Sequence, residues 1–319
     1  MKPRIYIDGQ AGTTGLSLQR RLRERSDLSL LEIEEHRRKD PRARADLLQS
    51  ADLAILCLPD DAAREAVSLL DGAKTRLLDA SSAHRVADGW VYGMPELEPA
   101  QRATIRAAQR VSNPGCYPTG AVLLLRPLLD EGLITPDAPL HVHALSGYSG
   151  GGRQMIERWE SPTQGLINLP FAAPYALDRE HKHLPEITRY SGLTQPPHFV
   201  PAVGPFHSGM RVEISLHASL LAAGATPARL HQALADRYAA EAFVQVQASA
   251  APPTDERWLD PRALNDSNSV RLWSVANPLG HVLLVAVLDN LGKGAAGAAV
   301  QNLNLMLGLD EQLGLTRAA

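Results

Sequence analysis

The fold is decided by one run near the start of the chain, Arg4-Ile5-Tyr6-Ile7-Asp8-Gly9-Gln10-Ala11-Gly12-Thr13-Thr14-Gly15. Its first five residues predict a short strand, and its glycines predict a tight turn. The apolar residues that follow, Leu16, Leu18 and Leu22, have the spacing of a helix. Strand, glycine turn and helix in this order are typical of the first unit of a parallel, doubly wound sheet.

The residues after this run continue the pattern. Strands are predicted at Leu28 to Ile33, Asp52 to Leu58 and Arg76 to Asp79, and a helix is predicted near Asp61 to Leu70. Strands that alternate with helices indicate an α/β fold of the Rossmann type, in which a parallel sheet is covered on both faces.

The second half of the chain has a different pattern. From about residue 139, apolar residues such as Val212, Ile214 and Leu216 alternate with polar ones. This two-residue alternation predicts an α+β domain with a mixed or antiparallel sheet, one face of which is exposed to water. Residues 149–200 are dense in Gly, Pro and His and predict an irregular segment, which is where sites often lie. Residues 295–309 predict a helix that returns to pack on the first domain.

Length and composition limit the classes of protein. A chain of 319 residues favours two domains over one. With 45% hydrophobic residues, 21% charged residues and a formal net charge of -3, it has no bulk attraction for nucleic acid or an anionic membrane. We find no signal-peptide pattern and no apolar run near the roughly 18 residues that span a bilayer. Two cysteines make no disulfide framework, so we expect a reducing compartment and a cytoplasmic protein.

The glycine turn has the spacing GxxGxxG. Gly9 would allow the tight turn, Gly12 the close approach of a phosphate, and Gly15 the close packing of the helix. The N–H groups at the start of the helix would meet a pyrophosphate, so we predict dinucleotide binding, with Thr13 and Thr14 as further candidates. A purely structural turn is the alternative, and the position between the first strand and the first helix argues against it.

The residues after the second strand bear on the choice of dinucleotide. Glu34 and Glu35 would suit ribose hydroxyls, as in NAD, whereas Arg37 and Arg38 would suit the 2′-phosphate of NADP. Two arginines in this loop favour NADP. A solvated charge run is the alternative for each arginine.

The two cysteines have different surroundings. Cys57 lies inside an apolar strand, Leu53-Ala54-Ile55-Leu56-Cys57-Leu58, and is predicted to be an inert core residue. Cys116 lies in Ser112-Asn113-Pro114-Gly115-Cys116-Tyr117-Pro118-Thr119-Gly120, before an apolar run that predicts a helix. The dipole and unpaired N–H groups of a helix N-terminus stabilise a thiolate, so we predict that Cys116 is a nucleophile that forms a thioester. A small buried hydrophobe is the alternative for the cysteine taken alone.

A thiolate that forms and releases acyl groups also needs a proton carrier. The run Glu180-His181-Lys182-His183-Leu184-Pro185-Glu186 places two imidazoles near carboxylates, and Glu186 could orient a ring. The residues do not decide between His181 and His183. A zinc site is the alternative, but no further ligand cluster accompanies these histidines, so no metal is predicted.

Two more runs predict binding sites. Ser146-Gly147-Tyr148-Ser149-Gly150-Gly151-Gly152-Arg153 offers backbone N–H groups and an arginine for a phosphate or carboxylate, with a flexible loop as the alternative. Asp289-Asn290-Leu291-Gly292-Lys293-Gly294-Ala295-Ala296-Gly297 places small residues where a flat ring or carboxamide could approach the backbone.

Together these runs resemble the N-acetyl-γ-glutamyl-phosphate reductases, a family of arginine biosynthesis, in their shorter, second type. The resemblance spans nearly the whole chain. It is carried by residues 8–15, 79–86 (Asp-Ala-Ser-Ser-Ala-His-Arg-Val), 112–120, 146–153, 181–186 and 289–297, which lead into Gln301-Asn302.

This resemblance implies an architecture like that of glyceraldehyde-phosphate dehydrogenase. Residues 1–115 and 291–319 would form an NADP-binding domain, and residues 116–290 a catalytic and dimerisation domain. NADPH would reduce N-acetylglutamyl phosphate to N-acetylglutamate semialdehyde through a Cys116 thioester, with loss of inorganic phosphate. His181 or His183 would move the proton and Glu186 would orient it. The implied assembly is a homo-oligomer, a dimer or tetramer, without nucleic-acid or membrane partners.

The same resemblance implies further binding residues. Additional cofactor candidates are Ser81, Asn290, Lys293 and Gly294. Substrate candidates are Arg85, Asn113, Ser146, Gly147, Ser149 and Arg153.

Three rival functions remain open at this point. Aspartate-semialdehyde dehydrogenase, or a reductase of a related aminoadipyl phosphate, would share the chemistry with another substrate. A cysteine hydrolase would use the same thiol, histidine and carboxylate, but it would need no dinucleotide turn. A non-catalytic redox sensor would bind nucleotide without turnover.

Overall fold

A computed structural model describes residues 2–38, 40–70, 73–248, 255 and 257–318. The contacts divide the chain into two units. The first unit comprises Met1–Pro114 and Ala295–Leu315, and the second comprises Gly115–Gly294 and Thr316–Ala319.

The described residues form strands and helices along the whole chain. The strands are β1 (Arg4–Asp8), β2 (Ser29–Leu31), β3 (Leu53–Leu56), β4 (Arg76–Asp79), β5 (Val91–Tyr92), β6 (Arg110–Ser112), β7 (His141–Gly147), β8 (Ala173–Pro174), β9 (His198–Gly204), β10 (Met210–Leu216), β11 (Val244–Val246), β12 (Val270–Ala276) and β13 (Val282–Leu288). The helices are α1 (Thr13–Arg23), α2 (Pro41–Ser50), α3 (Asp60–Ser68), α4 (Gln101–Ala107), α5 (Cys116–Asp130), α6 (Gly152–Glu160), α7 (Leu184–Ser191), α8 (Pro227–Tyr238) and α9 (Gly297–Met306). Shorter helical turns lie at Glu35–Arg37, Tyr148–Gly151, Leu166–Asn168, Ala218–Leu220 and Gly292–Ala296.

The first unit contains the predicted doubly wound sheet. Among its described residues, six parallel strands follow the order β2-β1-β3-β4-β6-β5. The order of connection reverses between β1 and β3, and ligands bind at the carboxyl ends of strands at such a switch point. Asp8 of β1 lies in register with Leu56 of β3, so the glycine turn leaves the sheet at this edge.

Apolar clusters cover both faces of this sheet. Ile5, Ile7 and Ile55 point to one face, where residues of α1 and α9 complete the cluster. Tyr6 and Leu56 point to the other face, towards α2 and α3. The predicted return of the C-terminal helix to the first unit is therefore confirmed.

The second unit contains a mixed sheet, as the period-two pattern predicted. Its described strands follow the order β11-β12-β13-β10-β7-β9-β8, with parallel pairs only at β11–β12 and β7–β9. In β10, Val212 and Ile214 are buried, whereas Ser215 is exposed. Helix α5 packs closely on the buried face, because a Cβ at Gly120 would lie 2.9 Å from Val212 Cγ2.

Two sequence predictions are wrong in detail. The strand expected over Leu28 to Ile33 is shorter, because β2 is an edge strand and pairs with β1 through only three residues. Residues 149–200 are more regular than expected, since they include α6, α7 and the start of β9. These helices are amphipathic, and α7 buries Glu186 and Ile187. The abundance of Gly, Pro and His in this segment obscured the helical spacing of its apolar residues in the sequence.

No helix in the described part of the chain combines the length and the apolar character needed to cross a bilayer.

Candidate active site

The three glycines of the turn differ in how much space a side chain would have. A Cβ at Gly9, which has a φ of 90°, would lie 2.3 Å from the carbonyl oxygen of Cys57. A Cβ at Gly15 would lie 2.4 Å from the carbonyl oxygen of Gly9. Gly12 is different, because a Cβ there would come no closer than 3.5 Å to a protein atom outside its neighbours. Packing therefore requires Gly9 and Gly15, while Gly12 leaves open space that a ligand can enter.

The start of α1 is suited to an anion. Gly12 precedes the helix, and Thr13 and Thr14 are its first residues, so their N–H groups have no partner within the helix. The first turn of α1 holds no acidic residue. The helix dipole and these N–H groups attract a phosphate.

A cavity of about 640 Å³ adjoins the glycine turn within the first unit. Arg44 and Arg38 line it, together with His36 and Gly9. The buried Arg44 donates to the carboxylate of Asp8, with Nη2 2.9 Å from Oδ2. Arg38 lies at the exposed side and is 3.5 Å from Glu35. The carboxylates of Asp8, Glu35 and Glu65 also line the cavity. The glycine turn and the helix N-terminus are therefore the features that fit a dinucleotide that carries phosphates.

The predicted pair Arg37 and Arg38 is divided by the structure. Arg38 lines the cavity, whereas Arg37 forms an ion pair with Asp40 at 3.4 Å. Arg44, which sequence analysis missed, is the more deeply buried cation. It is the fourth residue of α2 and carries no local signal that would distinguish it from the neighbouring arginines.

Ser81 lies just beyond β4, at the carboxyl edge of the same sheet. Its N–H and its hydroxyl both donate to the buried carboxylate of Asp79, at 2.8 and 2.7 Å. His84 Nδ1 contacts the same carboxylate at 2.6 Å, and its ring stacks on Trp90. The residues Asp79, Ser81 and His84 therefore stiffen this loop.

Arg85 and Asn113 are linked within the first unit. Arg85 is buried, and its Nε donates to the carbonyl oxygen of Asn113 at 3.1 Å. The Asn113 side chain donates to the carbonyl of Ala295 and accepts from Asn302 of α9. These contacts hold the backbone three residues before Cys116.

Cys116 is the first residue of α5, as predicted, and it is partly buried. The residue before it, Gly115, donates its N–H to Glu186 Oε1 at 2.7 Å. Glu186 is almost completely buried on α7. A carboxylate from a distant helix thus fixes the backbone at the point where the nucleophile begins its helix.

The run that follows β13 lies against Cys116. A Cβ at Gly294 would be 2.9 Å from Cys116 Cβ, so only glycine allows the two backbones to approach in this way. Lys293 is buried, with Nζ 5.7 Å from the centre of the Phe243 ring. Asn290 is also buried; its Oδ1 accepts from Gly209 N–H, and its Nδ2 donates to Ser149 Oγ. The side-chain amide of Asn290 thus connects its own loop to the segments that contain Gly209 and Ser149.

The predicted anion loop is more constrained than its glycines indicated. The N–H of Gly147 donates to the backbone carbonyl of Gly209, so the expectation that it is open to an anion is wrong. The next two N–H groups, those of Tyr148 and Ser149, also donate to backbone carbonyls, at residues 206 and 207. A Cβ at Gly147 would lie 2.4 Å from a carbonyl oxygen, which shows that this glycine serves packing. The Ser146 hydroxyl donates to the carbonyl of Gly147. Arg153 lies on α6, three-quarters exposed, and pairs with Glu157.

His181 and His183 lie together in the second unit, with ring centres 4.8 Å apart. The ring of Tyr117, the residue after the nucleophile, contacts both of them edge-on. His181 is also in contact with Tyr175 and Phe199. Burial among these rings, and secondarily the charge of Lys182, lowers the pKa of His181 to about 4.

Two phenols beside the thiol were missed by sequence analysis. Tyr175 OH lies 3.2 Å from Tyr117 OH and 3.4 Å from His181 Nε2. Burial raises the pKa of Tyr175 to about 12 and the pKa of Tyr117 well above its usual value, so both remain neutral phenols. Tyr117 adjoins Cys116 in the sequence and could have been found by that position. Tyr175 offers no such signal.

The surroundings of the other cysteine disfavour a thiolate. Cys57 follows β3 and packs against the apolar cluster of the first unit. Burial, and secondarily the carboxylates of Asp79 and Asp8, raises the pKa of its thiol far above the usual value. Within the described residues, no group of three or more His, Cys, Asp or Glu side chains could hold a metal ion.

Family models match both halves of the chain. The model of the semialdehyde dehydrogenase NAD binding domain covers residues 4–105, and that of the semialdehyde dehydrogenase dimerisation domain covers residues 116–290. Fold and site thus define the class of the semialdehyde dehydrogenases.

Curated relatives narrow this class. N-acetyl-gamma-glutamyl-phosphate reductase from Trichormus variabilis is 51% identical over 321 residues, covering 98% of this chain and 99% of the relative. The protein of the same name from Burkholderia cenocepacia strain J2315 is 52% identical over 309 residues, covering 96% and 97%. The chain belongs to the N-acetyl-gamma-glutamyl-phosphate reductase family.

Solved structures with the same fold are more distant. Aspartate semialdehyde dehydrogenase II from Vibrio cholerae matches with a TM-score of 0.71 at 16% identity, covering 97% of this chain and 99% of that one. Aspartate semialdehyde dehydrogenase with NADP from Candida albicans matches with a TM-score of 0.65 at 14% identity, covering 96% and 98%. Such low identity shows the fold alone.

Proposed function

We propose that this chain reduces N-acetyl-γ-glutamyl phosphate to N-acetylglutamate semialdehyde and inorganic phosphate, with NADPH as the reductant. The main supporting observation is the position of Cys116 at the start of α5, with Glu186 bonded to the preceding amide and Gly294 packed against it. The relatives that share about half of its residues carry the name of this activity.

The first chemical step belongs to Cys116. Its sulfur forms a bond to the acyl carbon of the substrate, and the phosphate leaves with the electron pair of the broken C–O bond. The N–H groups in the first turn of α5 and the helix dipole stabilise the thiolate before the attack. The product of this step is a thioester on Cys116.

When bound, NADPH supplies one hydride to the acyl carbon. The oxygen of the acyl group gains a negative charge as it becomes a thiohemiacetal oxygen, and a nearby acid protonates it. When the C–S bond then breaks, the same oxygen loses its proton and the semialdehyde leaves. The thiolate of Cys116 is restored.

We assign this proton exchange to His183. A proton carrier works best when its pKa lies near the working pH, and the pKa of His181, at about 4, lies well below that. His183 is buried, and its ring is 5.7 Å from the ring of Tyr117, which follows the nucleophile in α5. Glu186, three residues further on, positions the nucleophile's helix through Gly115.

NADP is proposed over NAD because Arg38 lines the cavity beside the glycine turn with a partly exposed guanidinium. Arg38 is the candidate for the 2′-phosphate, because its contact with Glu35 is long, at 3.5 Å, and partly exposed, whereas Arg44 is buried and bonded to Asp8 at 2.9 Å. The candidates for the pyrophosphate are Gly9, Gly12, Thr13, Thr14 and Gly15.

Four further cofactor candidates are proposed to support the site. We expect Ser81 to support the carboxyl edge of the sheet. We expect Asn290, Lys293 and Gly294 to position the loop beside Cys116.

Of the residues predicted for the substrate's anionic groups, three are proposed to bind them and three to support the loops around them. Ser149 is held by Asn290 and Asn113 is held by α9, so both present fixed groups. Arg85, Ser146 and Gly147 support these loops. Arg153 is the third binding candidate; its side chain is exposed and pairs with Glu157, so binding substrate would replace that ion pair.

A steady-state assay in the reverse direction tests the function. Phosphate-dependent reduction of NADP is measured with N-acetylglutamate semialdehyde and with aspartate semialdehyde, at equal concentrations. We expect kcat/KM to be at least about 100-fold higher for the N-acetylated substrate, because unpaired polar groups in a site reject the wrong ligand. Activity with aspartate semialdehyde alone would assign the chain to the chemistry named for its structural neighbours.

The assembly is proposed to be a homodimer or a homotetramer. The matching family model for residues 116–290 is described as a dimerisation domain. Light scattering coupled to size exclusion measures the mass directly; a mass of 34.5 kDa, that of one chain, at micromolar concentration would contradict this proposal.

A further inference from the structure

The ring of His181 is held by a backbone amide that fixes where its proton lies. The backbone N–H of His183 donates a hydrogen bond to His181 Nδ1, with a nitrogen–nitrogen distance of 3.2 Å. A backbone amide can only donate, so Nδ1 must accept. A neutral imidazole has one acceptor and one donor nitrogen, so the ring proton lies on Nε2.

The position of this proton sets the direction of the next two hydrogen bonds. Nε2 carries the proton, so it donates to Tyr175 OH at 3.4 Å. The oxygen of Tyr175 accepts there and therefore directs its own proton to Tyr117 OH at 3.2 Å. The chain of donors runs in one direction, from the amide of His183 through His181 and Tyr175 to Tyr117.

Four aromatic rings surround His181 and disfavour a charge on it. Tyr117, Tyr175 and Phe199 approach edge-on at 5.1 to 5.9 Å, and His183 approaches at 4.8 Å. A proton added at Nδ1 would face the N–H of His183 and break that hydrogen bond. A positive charge there would also repel a second charge on the neighbouring imidazole.

We propose that Tyr175 and Tyr117 lock His181 as a neutral imidazole protonated on Nε2, which makes His181 a positioning residue and keeps proton exchange at His183. This inference rests on the proposed function for the role of His183. It extends that function by giving different roles to His181 and His183, which the sequence does not distinguish. The lock ends at Tyr117, the residue after Cys116, so it also fixes the first turn of α5.

Side-chain nitrogen NMR tests the lock directly. The protein is labelled with ¹⁵N-histidine, and His181 is assigned by the signals lost in His181→Asn. In the wild type, Nδ1 of His181 should show the shift of an unprotonated nitrogen and Nε2 that of a protonated one, unchanged between pH 8 and pH 6. A protonated Nδ1, or titration of both nitrogens in this range, would overturn the proposal.

The variant Tyr175→Phe removes the acceptor for Nε2–H and keeps the ring. We expect the two His181 tautomers to mix in this variant and kcat to fall by about tenfold, the effect of one lost hydrogen bond, with KM little changed. The control is Tyr238→Phe, which removes a buried phenol of the same unit that donates to the carbonyl of Leu123. The control should leave the His181 signals and kcat as in the wild type.

The two proposals fail in distinguishable ways. If Tyr175→Phe leaves the His181 signals unchanged while the wild type reduces its substrate, the lock is wrong and the function stands. If the tautomer is fixed as described but no acyl phosphate or semialdehyde is turned over, the lock stands and the function is wrong.

Discussion

Cys116 begins a helix, whereas Cys57 follows the strand β3 and packs against an apolar cluster. We expect Cys116→Ser to lower kcat by at least about 10³-fold, because a serine hydroxyl is a far weaker nucleophile than a thiolate. Cofactor affinity, measured by calorimetry with NADP, should change little. The matched control is Cys57→Ala, which should retain turnover. Substantial turnover by Cys116→Ser would exclude a thioester mechanism.

Arg38 and Arg37 provide a pair of neighbouring cations with different surroundings. Arg38→Ala should weaken binding of 2′,5′-ADP by about tenfold or more, since a hydrogen bond to a charged group contributes about 1.5–3 kcal/mol. Arg37→Ala should have little effect, because its guanidinium pairs with Asp40 outside the cavity. Calorimetry with 2′,5′-ADP and with 5′-AMP compares the two directly. Equal losses for both ligands in Arg38→Ala would show that this side chain does not recognise the 2′-phosphate.

The low pKa of His181 has a consequence for stability. In the unfolded chain a histidine binds its proton near pH 6.5, whereas in the folded protein His181 does so near pH 4. Between these values the unfolded state holds more protons, so the free energy of unfolding should fall as the pH drops from 6.5 to 4. His181→Gln removes this contribution. Urea unfolding of both proteins at pH 6.5 and pH 4.5 measures the difference, and an equal fall in both would contradict the assignment.

The backbone that follows β13 packs directly against the start of α5, because Gly294 lies beside Cys116. Gly294→Ala would place a methyl group 2.9 Å from Cys116 Cβ and 3.1 Å from the carbonyl oxygen of Asp289. We expect a loss of about 1–3 kcal/mol in unfolding free energy and a fall in kcat, because the nucleophile must shift.

Gly132→Ala provides the control for this junction. Gly132 follows α5, has a φ of 64°, and has nothing within 4 Å of an added Cβ. Alanine there should cost about 1 kcal/mol through the backbone alone and leave kcat unchanged. If both variants lost stability and kept full kcat, the contact between Gly294 and Cys116 would have no catalytic importance.

At the scale of the whole molecule, the first unit is built from two separate parts of the chain. Helix α9 supplies Val300, Leu303 and Leu305 to the cluster that contains Ile5 and Leu18. A fragment of residues 1–114 should therefore not fold, because this cluster would be exposed to water. The same fragment joined to residues 295–315 by a flexible linker should fold cooperatively. Far-UV circular dichroism and urea unfolding distinguish the two, and a cooperative transition for residues 1–114 alone would contradict the expectation.

Several contacts of the candidate site could not be predicted, because they join residues far apart in the chain. Glu186 bonds to Gly115 across 71 positions, and Tyr175 to Tyr117 across 58. Arg44 and Asp8 are separated by 36 positions. The sequence singled out Glu186, but as a partner for a histidine ring, and no local pattern shows that its carboxylate reaches Gly115. Arg44 and Tyr175 carry no local signal at all. The anion loop shows the same limit, since its N–H groups are used by a distant strand connection.

The sequence by itself determined the Rossmann unit, the mixed sheet and the position of Cys116. These features depend on local interactions: the apolar period of each element, the φ requirement of Gly9, and a helix that begins after Gly115. The tertiary structure alone decided which arginines line the cavity, which carboxylate holds the nucleophile's helix, and which histidine is held neutral. Burial and hydrogen-bond direction settle these choices, and both depend on residues that only folding brings together.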